Sequence, residues 1–106
     1  MNISLPLNRY VFTKQGDHFK SEITFTLVIS NKEENTQLFR ETWKEMITEL
    51  YYDNTRDPNN YFKTERNFIF IPGKYKLFLN VQDEDSRQNW QFNKEYKLES
   101  VNGLGP

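Results

Sequence analysis

Residues 74–81 alternate. Tyr75, Leu77, Leu79 and Val81 fall on one face of an extended chain, and Lys74, Lys76, Phe78 and Asn80 on the other. That period of two marks a strand with one face buried. The apolar run Phe68-Ile69-Phe70-Ile71 precedes it and stops at Pro72-Gly73, a pair that punctuates turns. Asp83-Glu84-Asp85-Ser86 follows as an acidic turn. Strand, tight corner and strand, with a Tyr two residues past the Gly, is the pattern by which β-sandwich chains cross between sheets. The expected fold is therefore all-β, an Ig-like antiparallel β-sandwich of about seven strands.

The 106 residues fit a single domain, 1–106. A chain of that size buries about 65% of its unfolded surface, enough for a core without metal or disulfide. Apolar residues make up 36%, below the usual roughly 45–50%. Nine Phe, six Tyr and two Trp compensate, because each aromatic ring buries a large area. The 14 basic and 15 acidic residues are mixed along the chain and form no basic block. Nucleic-acid binding needs a positive footprint, so that class is set aside. Apolar runs reach only four residues, too short for direct membrane insertion through a helix. The absence of cysteine removes disulfides, zinc–thiolate sites and cysteine nucleophiles.

Along the chain, 7–13 reads as a first strand, Gln15-Gly16-Asp17 as a turn, and 19–30 as a long strand. In that strand Phe19, Ser21, Ile23, Phe25, Leu27 and Ile29 share a face. Residues 31–35 read as a polar loop. Residues 37–53 support two readings. Phe39, Trp43, Met46, Ile47, Leu50 and Tyr51 make a helical stripe. Read with period two, Phe39, Trp43, Ile47 and Tyr51 share a parity that Glu41, Glu45 and Glu49 interrupt. The sandwich context favours two strands, roughly 37–43 and 46–52, with a bulge between; a helix there would make the fold α+β. Residues 54–60 read as loop, 61–71 as strand, and 83–88 as turn. Trp90, Phe92, Tyr96, Leu98 and Val101 build the last strand, and 102–106 a flexible end.

A long alternating strand, a Trp-containing strand, Tyr51-Tyr52-Asp53-Asn54-Thr55-Arg56, Pro72-Gly73-Lys74-Tyr75 and Asp83-Glu84-Asp85-Ser86-Arg87 occur in this order. Over about residues 5–101 the chain resembles the β-sandwich region of bacterial GWxTD-domain proteins. The Gly-Trp-x-Thr-Asp motif is not in the chain, so the resemblance implies a sandwich portion excised from a longer protein. It also implies an exported or envelope-associated protein, in periplasm or cell envelope, without catalytic activity, and it favours strand over helix at 37–53.

Each candidate site has a plainer structural reading. Asp83, Glu84 and Asp85, with Asp53 and Asp57 in another loop, could offer calcium oxygen ligands. They lack EF-hand spacing, and turn residues that cap their own backbone are the ordinary alternative. Whether Asp83 and Asp85 hold an ion stays open at this point. Ser86 beside Arg87 has no adjacent base to make it a nucleophile. His18 is the sole histidine, too few for a triad or a histidine metal site, and reads as an exposed loop residue. Tyr10, Phe12, Phe78, Tyr51, Tyr52, Tyr61 and Phe62 could form a sugar- or peptide-stacking platform, against core and cross-strand pairing. Phe78 stands out because its neighbours on that face, Lys76 and Asn80, are polar. Trp43 and Trp90 read as sandwich core. Asp57-Pro58-Asn59-Asn60 could be a recognition loop, with Arg56 pairing Asp53 or Asp57.

No catalytic, cofactor-binding or metal residue is assigned, no cofactor is expected, and the chain is not expected to be an enzyme. The expected role is protein–protein interaction or scaffolding within a larger protein, through edge strands and the face carrying Phe78. A carbohydrate-binding module using exposed aromatics is the alternative. The partners expected are another protein or other domains of the same chain.

Overall fold

A computed structural model describes residues 2–68 and 71–98. It contains seven strands among those residues: β1 Asn2–Pro6, β2 Thr13–Gln15, β3 His18–Asn31, β4 Thr36–Glu49, β5 Tyr61–Glu65, β6 Gly73–Asp83 and β7 Asn89–Leu98. A 3-10 turn, Leu7–Arg9, follows β1, and a short helix, α1 Tyr52–Arg56, follows β4. All strand pairings are antiparallel. β4 runs along one edge of β3 from Phe19 to Asn31. The other edge of β3 is shared, with β6 pairing from Ile23 to Asn31 and β2 from His18 to Lys20. β7 pairs with the far side of β6. Over this large sheet lies a two-stranded one, β1 with β5. The fold is thus an all-β sandwich of two unequal layers.

Alternation in β3 builds the core. Ile23, Phe25, Leu27 and Ile29 are buried, and each such side chain contributes about 1.5–3 kcal/mol. Ile3 and Leu5 of β1, Leu7, Tyr10, Phe12, and Tyr75, Leu79 and Val81 of β6 close on them. Fourteen-residue strands at about 3.3 Å per residue reach about 46 Å, which accounts for most of the 53 Å long axis.

The corner after the Pro-Gly pair behaves as its sequence suggests. β5 belongs to the small sheet and β6 to the large one, so the chain changes layers between them. The Tyr75 hydroxyl donates to the Ile71 carbonyl, four residues upstream. A Cβ on Gly73 would lie 3.3 Å from that hydroxyl, so glycine leaves the room the tyrosine uses. Tyr75→Phe keeps the ring and loses the bond. It should cost about 1 kcal/mol, read as a fall of about 5 °C in Tm.

Four expectations need correction. The strand expected at 7–13 is absent: Pro6 and the turn at Leu7–Arg9 split this region into β1 and β2. Residues 37–53 form neither two strands nor one helix along their length, and only Tyr52 and Asp53 at the far end enter α1. β4 is one strand of 14 residues, and its register shift lies at Ile29/Ser30, opposite Phe39 and Gln37. Helical periodicity failed because Glu41, Glu45 and Glu49, which interrupt the inward face, have partners there. Glu45 accepts from the Thr64 hydroxyl at 2.8 Å, Glu41 lies 3.5 Å from Arg66, and Glu49 accepts from the Asn54 amide at 3.3 Å. The loop expected at 54–60 begins inside α1. The expected strand 61–71 ends at Glu65, with Ile69 and Phe70 outside the described residues. Val101 and the 102–106 end also lie outside them.

Candidate functional site

The two layers close differently along their two sides. On the β4 side, the carboxylates of Glu41, Glu45 and Glu49 bind groups from residues 54–66, and the Arg66 guanidinium lies 4.2 Å over the Trp43 ring. Trp43 in turn stacks on Phe25, with ring centres 5.1 Å apart. On the β7 side, among the described residues, only the Trp90 end is closed in this way, where Tyr10 meets the ring edge-on and the Arg9 guanidinium carbon lies 6.0 Å from its centre. Among the described residues β1 pairs only with β5, and none of them pairs with its second edge. Every residue of β7 is exposed except the half-buried Trp90. Phe92, Tyr96 and Leu98 keep 44%, 42% and 42% of their surface in water although they share the inward parity. The small sheet is too narrow to cover them.

The result is a seam between β1 and β7. One hollow of about 240 Å³ has β1 as its wall and Leu77, Leu79, Phe92 and Tyr96 as its floor. A second, of about 330 Å³, continues past Leu77 and Tyr96 toward Phe68 and Leu98. Lys94 lines the first and Lys97 the second, and among the described residues no carboxylate lines either. The Lys94 ammonium lies 4.8 Å from the centre of the Tyr96 ring.

The acidic turn proves structural. The fully buried Asp83 carboxylate accepts from the Val11 N–H at 2.6 Å, the Asp85 N–H at 3.0 Å and the Ser86 N–H at 3.4 Å. It sits where the edge of β3 passes from β6 to β2 and holds that junction together. Glu84 accepts from the Thr24 hydroxyl at 2.8 Å and lies 3.3 Å from Arg87. Burial, then the charges of Asp83, Glu22 and Glu84, push the Asp85 carboxyl above its ordinary value. Asp53 is exposed in the first turn of α1, and Asp57 caps the backbone N–H of Asn59. Among the described residues no three His, Cys, Asp or Glu side chains are arranged to hold a metal.

Ser86 accepts from the Gln88 N–H, which is turn chemistry. His18 opens β3 half-buried rather than in a loop, and its Nδ1 lies 3.0 Å from Asp17. Arg56 pairs with neither Asp53 nor Asp57, because backbone carbonyls take its donors. It reaches Tyr10 at 2.5 Å, Asn8 at 3.3 Å and Leu7 at 3.4 Å, and so caps the 3-10 turn.

The aromatic platform does not assemble. Tyr10 and Phe12 are core, and Phe62 packs against it. Phe78 is half-buried between Val28 and Asn93 on its neighbouring strands. Tyr52 lies against Phe19 and beneath Arg56. Tyr51 and Tyr61 are exposed. Trp90 meets Tyr10 edge-on at 4.8 Å. The exposed aromatics that do share a strand face, Phe92 and Tyr96, went unnoticed in the sequence because they sit on a strand with the ordinary inward alternation.

Tyr10 carries a second signature. Burial raises its hydroxyl to about 12, and that hydroxyl has no hydrogen-bond partner among the described residues. Unfolded tyrosine ionises near pH 10, so the unfolded state loses its proton first and stability should fall between pH 10 and 12. Tyr10→Phe should flatten that fall and change stability at pH 7 by less than about 0.5 kcal/mol. Denaturant titrations at pH 7 and pH 11 check both.

No family model, curated protein or solved structure matches the chain. The geometry of the seam therefore carries the functional reading. No described helix is long and apolar enough to cross a membrane.

Proposed function

We propose that this chain is a non-catalytic, immunoglobulin-like interaction module that binds another protein through the open β1–β7 seam. The observation that carries the reading is the exposure of Phe92, Tyr96 and Leu98 on the inward face of β7. A strand whose inward face is wet has a surface of the kind that protein partners cover. The outward face of the large sheet is a poorer candidate, because Phe78 there is half-buried against Val28 and flanked by Lys76, Asn80 and Asn93. The resemblance to GWxTD-domain proteins adds a setting, a larger envelope-associated or exported protein. The carbohydrate alternative has less support, since the Lys94 ammonium approaches one of the two exposed aromatic rings on β7.

A photocrosslinking amino acid placed at Phe92, and separately at Thr42 on the outward face of β4, tests the proposal in cells of the source organism. Adducts with protein from position 92 and none from position 42 are expected. Equal yields, or none from 92, would contradict it. Retention of the purified domain in glycan-containing gels would instead favour carbohydrate binding.

A further inference from the structure

We propose that the seam is completed by strand addition: an extended segment of a partner protein pairs with the open edge of β1 and lays alternate apolar side chains over Leu77, Phe92 and Tyr96. Its remaining side chains include carboxylates. The inference rests on the interaction reading above and specifies its binding mode.

Three observations converge on that occupant. First, a strand paired on one side only leaves every second residue's N–H and C=O pointing outward, ready to form a ladder. Among the described residues nothing pairs with that edge of β1, which borders the hollow with the apolar floor. Second, proteins guard exposed edges with charge, lysine above all. β4 carries Arg40, Glu41, Lys44 and Glu45, β5 carries Lys63 and Glu65, and β7 carries Lys94, Glu95 and Lys97. β1, Asn-Ile-Ser-Leu-Pro, has no charged residue and is the one described edge strand of which this is true. Third, among the described residues the floor beneath β1 supplies a cation, Lys94, and no acid. Charge complementarity therefore favours an acidic segment. Backbone pairing supplies affinity in such complexes, and pockets for alternate side chains supply specificity.

The probe is a fluorescein-labelled nonapeptide alternating Val and Glu, with two controls: Lys in place of Glu, and the Glu peptide N-methylated at every second residue in each of the two phases. Anisotropy is read against the whole chain. The Glu peptide should saturate. The Lys peptide should bind at least about tenfold more weakly, the scale of one well-placed charge pair. One phase of N-methylation should abolish binding. Tyr96→Glu in the chain should weaken the Glu peptide to a similar degree, with the thermal transition retained. Absence of saturation up to about millimolar peptide, the weakest affinity worth assigning, would overturn the proposal. So would equal binding by both N-methylated forms, or a stable dimer of the chain that buries the seam. If these assays fail while crosslinks from position 92 persist, the interaction reading stands and strand addition is removed.

Discussion

Asp83→Asn is expected to destabilise the protein by about 3 kcal/mol and to lower Tm by about 15 °C. The carboxylate accepts on both oxygens, from Val11 on one and from Asp85 and Ser86 on the other. Asparagine has one acceptor oxygen, so its amide must point N–H at N–H on one side. Hydrogen bonds to a charged group contribute about 1.5–3 kcal/mol each, and a buried donor left unpaired adds a desolvation cost. Thermal and urea unfolding at pH 7 measure the loss, and a change below about 1 kcal/mol would contradict the assigned role. Asp85→Asn is the contrast, two residues away. Its folded-state carboxyl is raised, so the charged form is penalised above that value and relieved as pH falls through it. The substitution should raise stability at pH 7 by less than about 1 kcal/mol. The gain should fade toward pH 3.

Arg56→Ala is expected to cost about 2–3 kcal/mol. The guanidinium spans the carbonyls of Leu7, Asn8 and Tyr10 and so ties α1 to the turn that carries the chain from β1 toward β2. Its stem also covers the Tyr52 ring, with the guanidinium carbon 5.7 Å from the ring centre. Arg56→Lys should recover less than half of the loss, because an ammonium cannot present the planar fork that reaches several carbonyls together. Urea unfolding of both variants decides it. Equal stability of Lys and Arg at position 56 would mean that charge alone matters there.

Strand alternation was legible wherever one face is buried and the other wet, which is why β3 and β6 were read nearly to their ends. The tyrosine corner was legible because Pro72, Gly73 and Tyr75 each have a fixed geometric use. β4 was misread because its inward carboxylates are bound by Thr64, Asn54 and Arg66, residues 5 to 25 positions downstream. A local period cannot register such partners. β1 escaped notice because five residues with Ile3 and Leu5 alone make too short a pattern. The seam was illegible for a related reason. Phe92 and Tyr96 look like inward core residues, and only the narrowness of the opposing two-stranded sheet leaves them in water.

Hydrogen exchange on the free chain tests the central claim most directly, since slow exchange requires a bonded amide. The account predicts that β3 amides exchange only at the global unfolding limit, while every second amide of β1 exchanges about as fast as an unstructured peptide. Protection of all β1 amides to the level of β3 would show that the seam is already filled in the free protein, and would contradict an open binding edge.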